Sequence, residues 1–330
     1  MGETDHIAEQ AELAASELFS EFFWEKTGPT NQNWPCEDKD RHDVETHPCD
    51  VVYYYDEPYA AVRTYVHCDL KSYAKGSIST AAMKSALISL AKQVSCADRS
   101  SVWRDRHVLS KPNASIVGLL FVYNHDGEYD KDFQTTIADI RSEMLDIPKG
   151  SRVYVLGPKE IYWLDNVADD IKRMRGKKKP EIPSQELCSY FYPQPVRRAN
   201  VQSVSAKAAS LEMLTSPIIM MQYRMSPSSA HRGIVLFYSR KGETPEEFMY
   251  LIDLLRKYNL LDQYTSITVK TLNASSNAPP NFEKAQQQYV ERLPGGDKNA
   301  ELSGFVKDIK YESMSKVKTT FSTVELGMQR

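Results

Sequence analysis

The sequence predicts an α/β protein with an α-β-β-α-β core and a second, smaller α/β or α+β domain behind it. Three observations carry this expectation. At 330 residues the chain exceeds what one hydrophobic core usually serves. Its first third passes from helical apolar spacing to two β-branched, aromatic runs, then to an Ala-rich helical run and an apolar strand-length run. The stretch RGKKKPEIP at 175–183, with four basic residues and two prolines, has the composition of a linker. The predicted division is 1–175, a basic linker at 176–186, and an accessory domain at 187–330.

From Ile7 to Trp24, Leu13, Leu18, Phe19, Phe22 and Phe23 recur at helical spacing between Glu9, Glu12, Glu17, Glu21 and Glu25, which predicts the first helix. Gly28-Pro29 ends it, and 30–48 reads as a loop. Asp50–Tyr55 and Ala61–Asp69 read as the strands of a hairpin turning at Asp56-Glu57-Pro58. Ser77–Val94, rich in Ala, Leu and Lys, predicts the second helix. Ser115–Tyr123 is apolar throughout, as a strand covered on both faces would be.

Further on, 133–145 and 163–174 read as helices around a strand at 152–156. Strands are expected at 218–224, 233–238 and 264–272, with a helix at 245–258. SIVGLLFVYNHDGEYDKDF and RGIVLFYSRKGETPEEF run alike from strand through a Gly-containing loop into an acidic helix start, which suggests two β–α–β units of similar plan, a likeness that arises easily by chance. Residues 273–300 read as a long mobile loop or arm.

A composition of 41% hydrophobic and 26% charged residues excludes a disordered or fibrous chain. No apolar run reaches the ~18 residues of a membrane helix, and the acidic start MGETDHIAEQAEL lacks a signal-peptide pattern, so a cytoplasmic protein without a membrane partner is expected. Cys36, Cys49, Cys68, Cys96 and Cys188 are odd in number and read as reduced thiols. Residues 1–50 hold 13 acidic against 3 basic residues, leaving 38 basic against 31 acidic in the remainder, a balance that can face a polyanion.

The chemistry concentrates at His47-Pro48-Cys49-Asp50 and Asp69-Leu70-Lys71. Asp50 opens the first hairpin strand while Asp69 and Lys71 close the second, and alternation puts Asp69 and Lys71 on one face. Two close carboxylates raise each other's pKa unless a divalent cation neutralises them, and oxygen ligands suit Mg²⁺, with Mn²⁺ able to substitute. Such a cation activates water towards a phosphodiester, and a lysine beside it orients that water or meets the developing charge.

This order of helix with Glu, then Asp, then Asp-x-Lys, then helix and strand resembles the PD-(D/E)XK nuclease superfamily, the restriction-endonuclease-like fold, over residues 5–125. The resemblance implies that Asp50, Asp69 and Lys71 are catalytic, that Asp50, Asp69 and the Leu70 carbonyl hold the metal, and that Glu12 or Glu17 joins them. Cys49 stands where the superfamily has its proline, with Pro48 one position earlier. HPCDVVYYYDEPY and DLKSYAK also resemble bacterial nuclease-like proteins of anti-phage defence. The implied function is a Mg²⁺-dependent DNA endonuclease, double-stranded DNA favoured, with a second subunit or a second copy as partner. The alternative is a non-catalytic nuclease-like subunit that binds DNA or protein.

Lys75, Lys84, Arg104, Arg106, Lys177, Lys178 and Lys179 are the candidate phosphate contacts, with His107, Arg173 and Arg175 beside them and Arg197-Arg198, Arg224 and His231-Arg232 weaker. No Gly-rich phosphate loop is present, so no nucleotide cofactor is expected. Cys36, His42, His47 and Cys49 could supply a zinc set, but their spacing matches none of the usual paired-ligand patterns, and zinc is the minor reading. Tyr53-Tyr54-Tyr55 read as core ahead of base stacking, and a Cys–His protease lacks an orienting residue.

Overall fold

The computed structural model describes residues 2–109, 113–145, 152–193, 207–293 and 300–314. The chain divides into two compact units, one ending at Asp165 and one beginning at Asn166. In order, the first holds α1 (Gly2–Glu21), β1 (Glu25–Thr27), β2 (Trp34–Pro35), α2 (Lys39–His42), β3 (Thr46–His47), β4 (Val51–Asp56), β5 (Arg63–Tyr73), α3 (Thr80–Ala97), α4 (Ser101–His107), β6 (Ala114–Asn124), α5 (Phe133–Ile137) and β7 (Arg152–Leu156). Helix α6 (Pro158–Gly176) crosses the division.

One sheet runs β1-β4-β5-β6-β7. β4 is antiparallel to β5, while β5, β6 and β7 are parallel. Strand alternation distributes β6 between two layers. Phe121 meets Phe19 of α1, which also packs on Tyr53. Leu120 and Val122 pack with Met83, Leu87, Leu90 and Val94 of α3. Helix α3 begins where Ser79 Oγ accepts the Ala82 N–H.

In this unit four expectations need correction. The loop 30–48 contains the β2–β3 pair and α2, because Trp34 is buried against the His47 ring and gives the segment an anchor. β5 runs on through Asp69 and Lys71 to Tyr73, because parallel β6 supplies partners beyond the end of β4. Arg104, Arg106 and His107, expected in a loop before the 115–123 strand, lie in a helix, α4, capped by Ser100 Oγ. The helix at 133–145 stops at Ile137, with only a 3₁₀ turn at Ser142–Met144.

The second unit holds β8 (Cys188–Tyr190), α7 (Leu211–Leu214), β9 (Ile218–Tyr223), β10 (Arg232–Tyr238), α8 (Pro245–Lys257), β11 (Thr265–Thr271), α9 (Ala278–Glu291), α10 (Ala300–Lys307) and β12 (Lys310–Ser313). Its sheet runs β12-β11-β10-β9-β8, with β10, β11 and β12 parallel. The stretch 273–300, expected as a loop or arm, instead contains α9: Pro279-Pro280 sit in its first turn, where proline costs nothing, and Phe282, Ala285, Tyr289 and Val290 give it a buried face. The two alike segments do share a plan: β6–β7 and β10–β11 are parallel pairs, and both loops turn at a glycine of positive φ, Gly127 and Gly242.

Among the described residues no helix is long and apolar enough to cross a membrane. All five cysteines are buried free thiols.

Candidate active site

β4 and β5 place the two acidic residues opposite one another. Val51 pairs with Cys68, so one antiparallel step beyond brings Asp50 to Asp69. Asp69 and Lys71 pair with Leu120 and Val122 of β6, which puts both side chains on the sheet face that α3 covers. Lys71 Nζ lies 2.6 Å from Asp69 Oδ1. Asp50 Oδ2 accepts the Leu70 N–H at 2.7 Å. Asp50, Asp69, Leu70 and Lys71 therefore converge, as the spacing predicted.

The electrostatics follow from burial. Asp69 is 4% exposed. Burial first, and the neighbouring Asp69 second, push the Asp50 carboxyl up to about 6, against the Leu70 N–H and Lys71, and the two carboxyls hydrogen-bond each other. Burial opposes the Lys71 ammonium, yet Asp69, by charge and hydrogen bond, and Asp50 hold its pKa above the ordinary lysine value. Two close carboxyls that raise the pKa of one of them are a donor set short of positive charge, which fits a divalent cation.

The two helix-1 candidates separate. Glu12 Oε1 is 3.1 Å from Lys26 Nζ, and Glu12 Oε2 accepts from Asn31 Nδ2 at 3.2 Å. The Asn31 N–H in turn donates to the Asp50 carbonyl at 2.9 Å, so Glu12 is linked to Asp50 through one residue. The Glu17 side chain has no such link among the described contacts. Asn31 lies in a segment without periodicity, and nothing in its sequence context marked it.

The candidate phosphate contacts scatter. Arg106 Nη1 donates to Asn33 O, and its charge is felt by Cys49, the neighbour of Asp50. Lys75 pairs with Asp130 and Arg104 with Asp98, while Lys84 is exposed on α3. Lys177 pairs with Glu181, and Lys178 and Lys179 are exposed; these three lie in the second unit. Arg173 binds Asp169 and Asp170, and Arg232 binds Asp262. Arg197-Arg198 lie outside the described residues.

Tyr53, Tyr54 and Tyr55 are buried; Tyr53 and Tyr55 pack on Trp24, and Tyr54 lies under Arg63. The zinc set of the minor reading, Cys36, His42, His47 and Cys49, is not assembled as such. Cys49 Sγ instead faces His67 Nδ1 at 3.9 Å and His107 Nε2 at 3.8 Å. Burial and Asp50 push its thiol up to about 12, which removes it as a nucleophile.

A mixed sheet that sets the buried Asp69, the half-buried Asp50 and an ammonium at one spot has the arrangement of a nuclease-type domain. Residues 1–160 match the family described as GAPS4 protein PD-(D/E)XK nuclease domain. No curated protein and no solved structure matches the chain.

Proposed function

We propose that this protein is a divalent-metal-dependent endonuclease acting on DNA in anti-phage defence. The order α1, β4, β5, α3, β6 supports a restriction-endonuclease-like core. The observation that carries the reading is the convergence of Asp50, Asp69 and Lys71, with Asp50 raised to about 6.

Asp50 and Asp69 would hold Mg²⁺, with Mn²⁺ able to substitute. A strand residue's N–H and C=O project to one side, so the Leu70 carbonyl faces the edge where its N–H meets Asp50, and it is the natural third ligand. Glu12, linked through Asn31, completes the acidic set ahead of Glu17. When bound, the cation lowers the pKa of a water and neutralises charge on the phosphodiester. Lys71 would orient the attacking water or stabilise the negative charge developing on the phosphate. Asp69 holds Lys71 in place through their ion pair.

Arg106, beside Cys49, is best placed to grip a phosphate near the site. Lys75, Lys84 and Arg104 would add phosphate contacts on the same unit, and Lys177–Lys179 would contribute theirs from the second unit. The region 187–330, after the basic segment 176–186, would regulate the nuclease or dock a second subunit or second copy in the cytoplasm, because cleavage without sequence readout has to be restrained in the host.

The test is cleavage of linear and supercoiled DNA by the purified chain with Mg²⁺ or Mn²⁺, against a chelator control and Asp69→Asn. Cleavage that needs the metal and disappears in the variant supports the reading. Equal activity in Asp69→Asn refutes the assignment.

A further inference from the structure

Away from the carboxylates, Cys36, His42, His47 and Cys96 bring one ligand atom each to within 4.8 Å of one another, all four buried. Cys36 follows β2, His42 ends α2, His47 belongs to β3, and Cys96 lies in the last turn of α3. Cys36 Sγ is 3.4 Å from His42 Nδ1 and 3.7 Å from Cys96 Sγ, and Cys96 Sγ is 3.3 Å from His42 Nδ1.

Zinc at about 2.3 Å from sulfur and about 2.0–2.1 Å from nitrogen has tetrahedral edges of about 3.8 Å between sulfurs and about 3.5 Å between sulfur and nitrogen. The three separations among Cys36, His42 and Cys96 are close to those edges. His47 supplies a second observation: at 3% exposure it leaves Nε2 buried with no hydrogen-bond partner. A native fold seldom leaves such a nitrogen unsatisfied. The Asp38 N–H lies 3.4 Å from Cys36 Sγ, the kind of outer contact that steadies a thiolate ligand.

We propose that Cys36, His42, His47 and Cys96 bind one structural Zn²⁺. Two thiolates balance the dication, so the loaded cluster is neutral and suited to burial, and loading releases two thiol protons. The protein fills all four positions, which marks a structural site. The ion would pin 34–49, a segment of two-residue strands and one short helix, to the end of α3. Asp50 follows His47 by three residues, so the same ion would fix the approach to the carboxylate site. Three of the four, Cys36, His42 and His47, belong to the set that the sequence offered as its minor zinc reading. Cys96, distant in sequence, takes the place that reading gave to Cys49.

The test is metal analysis of the full chain purified without chelator. The expected result is one zinc per chain, retained in Cys49→Ser and Asp69→Asn and lost in Cys36→Ser and Cys96→Ser. Retention in Asp69→Asn separates this ion from one at the carboxylates. Co²⁺ exchanged into the wild type should give the intense visible absorption of tetrahedral thiolate coordination, a readout that stands even where the cysteine variants misfold. Substoichiometric zinc with no such absorption overturns the proposal. So does zinc retained by Cys96→Ser, or a Cys36–Cys96 disulfide in the mass of the unreduced protein.

Discussion

The Leu70 N–H donates to Asp50 Oδ2 at 2.7 Å, and this bond draws a carboxylate just outside β4 onto the strand that carries Asp69 and Lys71. It works against the burial and the Asp69 charge that push Asp50 up to about 6, and it does not win. Below about pH 6 the site therefore carries a proton that a cation must displace.

Cation affinity should follow that proton. Above pH 6 the apparent Mg²⁺ or Mn²⁺ affinity is expected to be flat, and below it to fall about tenfold per pH unit, because each ion bound releases one proton. Mn²⁺ binding followed by paramagnetic resonance between pH 5 and 8 checks this. An affinity independent of pH across that range would place the ion elsewhere.

Asp50→Asn should stabilise the protein in buffer free of divalent cations. The folded pKa of Asp50 is raised from 3.8 to about 6, so its contribution is fully present below 3.8 and lost as pH rises through 6. At neutral pH the wild type bears the cost of the ionised pair. Removing it is expected to give about 1–3 kcal/mol, seen as a higher urea midpoint, with the Leu70 bond kept by the amide oxygen.

How much of this was legible depends on the range of each signal. The pair Asp69 and Lys71 could be placed from alternation alone, and Asp50 from hairpin pairing, because both rest on local geometry. The length of β5 could not, since its last residues are held by β6, some fifty positions along the chain. Helix α9 was missed because Asn, Pro and Gln suggest a loop, whereas Phe282, Tyr289 and Val290 bury one face. Asn31 carried no sequence signal, and its role comes from tertiary contact with Glu12 and Asp50.

His67 gives the opposite pH response to Asp50. Burial holds its imidazole down to about 4 from 6.5, and Gln93 Oε1 and Trp103 Nε1 occupy its two nitrogens. Its contribution is complete above pH 6.5 and lost as pH falls towards 4, by about 3 kcal/mol in all. The Asp50→Asn background removes the opposing titration, so urea midpoints measured there should fall between pH 7 and pH 4.5. A midpoint that rises would contradict a neutral buried His67.

Gly28→Ala should damage the route by which the chain reaches Asp50. Gly28 has φ +67, a conformation that L side chains rarely adopt, and an added Cβ would lie 2.2 Å from His107 Nδ1 and 2.6 Å from the Arg106 carbonyl. The backbone carbonyl cannot swing away as a flexible side chain can. Thr27 next to it donates its hydroxyl to His107 O, and three residues on Asn31 holds the Asp50 carbonyl. Strain at Gly28 therefore passes to α4 on one side and to the Asp50 backbone on the other. The expected loss is about 2–4 kcal/mol by urea unfolding. Cleavage should fall further than the folded fraction does, because Asp50 shifts even in molecules that stay folded. A Gly28→Ala protein with wild-type stability would show that the loop relaxes freely and that Asp50 is positioned by β5 alone.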